Sequence, residues 1–84
     1  MTRKTVERTL HDHVQLVLEE YFEKLGDQEP SNIYAMTMRE VEKAILETVL
    51  KQTKNNQSTA SKYLGLNRST LRKKLREHDL YNDI

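Results

Sequence analysis

Residues 56–75 read Asn56-Gln-Ser-Thr-Ala-Ser-Lys-Tyr-Leu-Gly-Leu-Asn-Arg-Ser-Thr-Leu-Arg-Lys-Lys-Leu75. Asn56 is a good N-cap, because its side-chain oxygen can accept from the free N–H groups of a first helical turn. Ala60, Tyr63 and Leu64 follow at helical spacing. Gly65 stands where a helix C-terminus wants a left-handed residue. Asn67 can cap a second helix, in which Leu71 and Leu75 lie four apart on one face. Ser61, small and four residues before Gly65, lets the two helices approach closely. Two capped helices around a glycine turn form a helix-turn-helix pattern.

The second of these helices carries the chemistry. With Leu71 and Leu75 turned inward, Ser69, Lys73 and Arg76 fall on the opposite face and Arg72 lies beside them. Arg68 is in the first turn, the part of a recognition helix that reaches base edges in the major groove. An arginine can bond guanine O6 and N7 together, and an asparagine can read adenine. Thr70, Lys74 and the helix N-termini suit phosphates. A basic face alone fits any solvated helix in a bundle. Joined to a capped, glycine-turned helix pair, it points to double-stranded DNA.

Charge distribution agrees. The net charge of +1 conceals two unlike halves. Residues 1–50 hold six Lys/Arg against ten Asp/Glu, and residues 51–84 hold eight against three. The basic half coincides with the motif, as expected when one end of a chain touches a polyanion. Eighty-four residues allow one small domain, and 36% hydrophobic content lies below the usual ~45–50%. So little apolar material makes a lone chain marginal, whereas two chains sharing one core would be stable.

Upstream of the motif, residues 1–8 are polar and unpatterned, and the first helix is expected to begin near Thr9, with Asp12 three residues on as in a capping box. Leu10, Val14, Val17, Leu18, Tyr21, Phe22 and Leu25 make one broad apolar stripe that Gly26 ends. After a loop containing Pro30, Ser31 or Asn32 would cap a second helix. There Tyr34, Met38, Val41, Ile45 and Val49 form one stripe, widened by Ala35, Met36, Leu46 and Leu50. Apolar groups on more than one face imply a helix buried between neighbours, and its surplus apolar surface argues for a second subunit. Past His78 the tail has no pattern, although Leu80 or Tyr81 could pack back on the last helix.

Other function classes find no support. There is no cysteine, hence no disulfide framework or thiolate site. His11 and His13 are two apart and point to different helix faces, a poor metal pair, and no cofactor is implied. Ser58, Ser61 and Ser69 lack the glycine-flanked elbow of a hydrolase, and two glycines cannot build a phosphate-cradling loop. The glutamates at 19, 20, 23, 40, 42 and 47 read as solvated helix faces, and no enzyme is expected. Leu16-Val17-Leu18 is too short to span a bilayer, and the N-terminus has no apolar signal core, so a cytosolic protein is the simplest expectation.

The residues also carry a family resemblance. Gly-Leu-Asn-Arg-Ser-Thr-Leu-Arg-Lys-Lys-Leu, residues 65–75, resembles the recognition helix of the Fis family of bacterial nucleoid proteins. Tyr21-Phe22, Leu25, Tyr34, Glu40-Val41-Glu42 and Asn56-Gln57 match in order, so the resemblance runs from about Leu10 to His78. The terminal motif is also similar to the DNA-binding domain of NtrC-type activators, a rival that a start at Met1 so near the first helix disfavours. An oligomerisation or adaptor module without a nucleic-acid role is the alternative of a different class.

The resemblance implies an all-α homodimer of four-helix chains that binds and bends DNA, regulates transcription and organises the nucleoid. Residues 1–9 would be a short flexible lead-in, 10–53 an interlaced dimerisation core, 54–78 the helix-turn-helix, and 79–84 a tail. Asn67 and Arg68 would reach base edges. Asn56, Ser58, Thr70, Arg72, Lys73, Lys74 and Arg76 would hold phosphates or flanking DNA. Gln52, Lys54, Asn55 and Gln57 resemble the family's patch for RNA polymerase. This sequence departs from the family in four places. The nine-residue lead-in is shorter than the hairpin arm that stimulates DNA invertases. Ala44 replaces a helix-kinking Pro, which predicts a straighter second helix. Asn55 replaces a common Gly at the turn, so the polymerase contact does not carry over directly, and Glu77 replaces a basic residue, which predicts weaker flanking-DNA contacts.

Overall fold

A computed structural model describes residues 3–81. The chain is all-α, with helices α1 (Arg3–Leu25), α2 (Ile33–Gln52), α3 (Gln57–Leu64) and α4 (Arg68–Glu77), and no strand occurs among the described residues. It divides into two units, Met1–Ile33 and Tyr34–Ile84. Residues 1, 2 and 82–84, the ends of the expected lead-in and tail, lie outside the described residues.

In the first unit, α1 starts at Arg3, about six residues before the expected start near Thr9. The added turns carry the good helix formers Arg3, Glu7 and Arg8 and an i,i+4 ion pair, Arg3 Nε to Glu7 Oε1 at 3.3 Å. Thr9 is therefore interior, and its carbonyl accepts from His13 Nδ1–H at 3.0 Å. Gly26 closes the helix in the left-handed region, φ 63. None of the α1 residues whose burial is described is buried: Val6, Leu10, Leu16, Val17 and Phe22 all stand exposed, Val17 by 60%.

The second unit holds the core. Leu46 and Leu50 of α2, Ala60 of α3, and Leu71 and Leu75 of α4 form one buried cluster, with Val49, Leu64, Leu80 and Tyr81 packed against it. The face that α2 buries is therefore the Leu46–Leu50 line, expected only to widen the stripe. Tyr34, Met38 and Ile45 of the expected main stripe are exposed, Tyr34 by 79%. The helix-turn-helix supplies its apolar surface to the C-terminal half of α2, so α2 belongs with the motif by packing. Asn32 has left-handed backbone, φ 55, unlike the extended backbone of the caps at Asn56 and Asn67.

Three helix ends in this unit reverse the chain by the same means: a left-handed residue followed by an N–H bonded five residues back. After α2, Lys54 (φ 53) is left-handed and Asn55 N–H reaches the Leu50 carbonyl at 2.8 Å. Past α3, Gly65 (φ 74) precedes Leu66 N–H, bonded to the Ser61 carbonyl at 3.0 Å. Beyond α4, Asp79 (φ 56) precedes Leu80 N–H, bonded to the Leu75 carbonyl at 2.7 Å. The last reversal turns Leu80 and Tyr81 back onto the core, as one reading of the tail expected.

Candidate nucleic-acid interface

The turn between α3 and α4 fixes the motif. Asn56 Oδ1 accepts from Thr59 N–H at 3.0 Å, and Asn67 Oδ1 accepts from Thr70 N–H at 2.8 Å. Ser61, 7% exposed, donates its hydroxyl to the Ser58 carbonyl at 2.8 Å and leaves room for α4. Tyr63 departs from expectation: it stands 70% exposed on the outer side of α3, and Ala60 alone fills that helix's deepest position. A residue three after Ala60 follows the apolar spacing, but an eight-residue helix has one narrow inner line, and Leu64 takes it.

With Leu71 and Leu75 fully buried, the rest of α4 is sorted by its own geometry. Arg68, Ser69, Arg72, Lys73 and Arg76 are exposed, and Thr70 and Lys74 are half-buried. Arg68 and Arg72 are one turn apart, as are Ser69 and Lys73, so the exposed side presents a continuous basic strip. Arg68, Arg72 and Lys73 make no ion pair among the described residues. Arg76 is held differently: its guanidinium stacks over the Tyr81 ring, 4.4 Å from the centroid, a cation–π contact supplied by the returning tail.

Three residues of the expected DNA-facing set have their side-chain polar atoms engaged: Asn56 through its cap, Asn67 and Lys74. Asn67 Oδ1 takes a second donor, the Ser69 hydroxyl, also at 2.8 Å. A bidentate reading of adenine needs that oxygen as well as the amide nitrogen. In the capped state only the Nδ2–H donors remain for a base or phosphate. Lys74 Nζ lies 2.8 Å from Glu42 Oε2, across from α4 on α2.

Glu42 corrects the reading of that residue as a solvated glutamate. Its other oxygen, Oε1, lies 2.8 Å from His78 Nε2. A carboxylate only accepts, so Nε2 carries the proton in this bond, and Nδ1 is buried without a hydrogen-bond partner among the described residues. The Lys74 and His78 hydrogen bonds hold the Glu42 carboxyl below its ordinary value, against the opposing pull of partial burial. Glu42 in turn raises the Lys74 ammonium. His78, 5% exposed, is the residue the sequence reading missed. A signal existed: His78 follows Leu71 and Leu75 at seven and three, and Glu42 precedes Leu46 and Leu50 at four and eight. Both pairs of spacings mark the buried line of their helix.

The α2–α3 turn places Gln52, Lys54 and Asn55 on the surface and Gln57 half-buried. Asn55 (φ 65) is left-handed, a conformation Asn tolerates better than most residues, which accounts for its standing at a glycine-like position. Among the described residues, no group of three or more His, Asp or Glu is arranged to hold a metal ion, and no helix is long and apolar enough to cross a membrane.

The capped pair α3–α4, packed on the C-terminal half of α2 and carrying an outward basic strip, defines a helix-turn-helix protein. Residues 37–78 match the family model described as bacterial regulatory protein, Fis family. A Fis-like DNA-binding protein of Ralstonia nicotianae is 45% identical over 80 residues, covering 95% of this chain and 99% of that one. One from Pseudomonas aeruginosa is 49% identical over 73 residues, 87% of this chain and 70% of the relative. The DNA-binding protein Fis of Tolumonas auensis is 38% identical over 79 residues, 94% and 80% of the two chains. The chain belongs to the Fis family.

Proposed function

We propose that this protein is a homodimeric DNA-binding and DNA-bending regulator of transcription and an organiser of the nucleoid, working in the cytoplasm. The observation that carries the reading is the division of α4: Leu71 and Leu75 are wholly buried while Arg68, Arg72 and Lys73 stand exposed without ion pairs among the described residues. Arg68 reads a guanine from the first turn, where the helix enters the groove. Asn67 donates through its amide nitrogen while its oxygen caps the helix. Asn56, Ser58, Thr70, Arg72, Lys73 and Arg76 hold phosphates on either side, and the Tyr81 ring pre-orders Arg76 for that contact.

Dimerisation is supported by exposed apolar groups on both long helices. Leu10, Leu16, Val17 and Phe22 of α1 and Tyr34, Met36, Met38 and Ile45 of α2 face solvent in the single chain. Among the described residues only five hydrophobics are buried, a small core, and a second copy covering these faces would complete it. The α2–α3 turn, with Gln52, Lys54, Asn55 and Gln57, then presents a surface patch to RNA polymerase.

The deciding experiment is electrophoretic retardation of a generic duplex at two salt concentrations. Binding should weaken steeply with salt, because each phosphate neutralised releases counterions. Absence of binding at low salt would reject the reading in favour of an oligomerisation module.

A further inference from the structure

Lys74 is set apart from the other cations of α4. Both it and Glu42 are about two-thirds buried, with side-chain exposures of 32% and 31%, and their charged atoms are 2.8 Å apart. The same carboxylate is pinned from its other side by His78 Nε2, whose side chain is 3% exposed. Glu42 therefore cannot follow Lys74 outward without giving up a buried hydrogen bond. Should Lys74 leave alone, the carboxylate would be stripped of its charge partner while still half-buried, an unfavourable state. Arg68, Arg72 and Lys73 face no such restraint.

We propose that Glu42 is a positioning residue that withholds Lys74 from the DNA phosphates. The carboxylate converts one of the basic side chains of α4 into a tie between α2 and the recognition helix. The pair is electrically neutral as a unit and releases no counterion. The number of cations that α4 spends on sequence-independent binding is thus set from α2, away from the base-reading turn at Arg68. This rests on the DNA-binding reading above.

The test is the slope of log affinity against log salt on one duplex, with Lys73→Ala as the reference for loss of one phosphate contact, about one unit. Glu42→Gln, which keeps the side-chain shape and removes the charge, should steepen the slope by about one unit. Between about 50 and about 200 mM salt that adds roughly a fourfold change in affinity. The double variant Glu42→Gln/Lys74→Met, which removes both charges, should return to the wild-type slope. A double variant that falls below wild type by about one unit, as Lys73→Ala does, would overturn the proposal, as would an unchanged slope in Glu42→Gln. Should these variants fail to fold by circular dichroism, lysine side-chain nitrogen resonances of the wild-type protein decide instead. On adding duplex the Lys73 signal should move and the Lys74 signal should stay. Movement of both overturns the proposal. Failure of the wild-type protein to bind the duplex would reject the DNA-binding reading itself, an outcome distinct from either slope pattern.

Discussion

At the scale of single residues, reading and holding are separable. On the proposed reading, Arg68→Ala should cost about 1–3 kcal/mol and blunt preference at one base pair, because the proposed bidentate guanine contact would be lost. Lys73→Ala should weaken all sequences alike. A selection on randomised duplexes checks both, and an Arg68→Ala variant with unaltered base preference would remove Arg68 as the reader. Glu42 adds a pH signature. Its folded-state carboxyl sits below the ordinary 4.5, through the Lys74 and then the His78 hydrogen bond, so it binds fewer protons folded than unfolded near that pH. Its contribution is present above 4.5 and is lost as pH falls through the depressed folded value. Lys74 sits above its ordinary 10.5, so its contribution is present below 10.5 and is lost as pH rises through the folded value. The stability gap between wild type and Glu42→Gln should therefore be widest between those limits and close toward both ends in urea titrations. A gap that stays constant down to acid pH would mean that the bridge does not couple to folding.

For the elements, the helix reversals matter more than the helices they join. Gly65 is the sharpest case: at φ 74 a side chain would strain the backbone, although nothing lies within 4 Å of where its Cβ would be. Gly65→Ala should thus destabilise by about 1 kcal/mol through conformation alone, without a clash. Asn67→Ala removes a cap that satisfies Thr70 N–H and should cost about 1 kcal/mol as well. Both changes act on the start of α4, so thermal melts should fall by a few degrees while helical content at low temperature is retained. A melt of Gly65→Ala equal to wild type would show that the turn tolerates a β-carbon. The reversal at Asp79 does a different job. It returns the chain so that Leu80 covers the core and Tyr81 meets Arg76, tying the last helix to residues beyond it.

Taken whole, the molecule presents long apolar faces on α1 and α2 and one small core between α2 and the motif. Sedimentation at micromolar concentration should give a dimer, and Ile45→Asp, which puts a charge on an exposed apolar position of α2, should shift it toward monomer or unfold it. A folded wild-type monomer would contradict the dimer. Two recognition helices related by a two-fold axis fit straight B-DNA when they are about 34 Å apart. Here α3 follows α2 after only residues 53–56, and the N–H groups of Thr53, Lys54 and Asn55 bond back to carbonyls of α2, so the motif is tethered closely to the proposed dimer core. If that spacing falls short of a helical turn, the duplex must bend, and the cost, of order 1–6 kcal/mol, depends on central base pairs that no side chain touches. Circularly permuted duplexes should then show position-dependent mobility, and changing the centre from A·T to G·C should weaken binding. Equal affinity for both centres would leave a straight-DNA binder.

Local chemistry by itself determined the four helices, the two asparagine caps, the Gly65 turn and the inward Leu71–Leu75 line, because each follows from residues within one or two turns of each other. The basic strip of α4 was legible for the same reason: once the inner line is known, helical periodicity assigns the outer one. Tertiary packing decided the rest. It set Leu46 and Leu50 of α2 against the helix-turn-helix and left Met38 and Ile45 exposed in the single chain, an assignment of two apolar lines that only the partner surface makes. It left Tyr63 outside, started α1 at Arg3, and engaged Lys74 with a glutamate 32 residues upstream. It also buried His78 against the same carboxylate. A charged residue's sequence neighbours say which face of its helix it occupies, but its partner is set by which distant element packs there. Glu42 and Lys74 therefore read as solvent-facing charges until the fold brought them together.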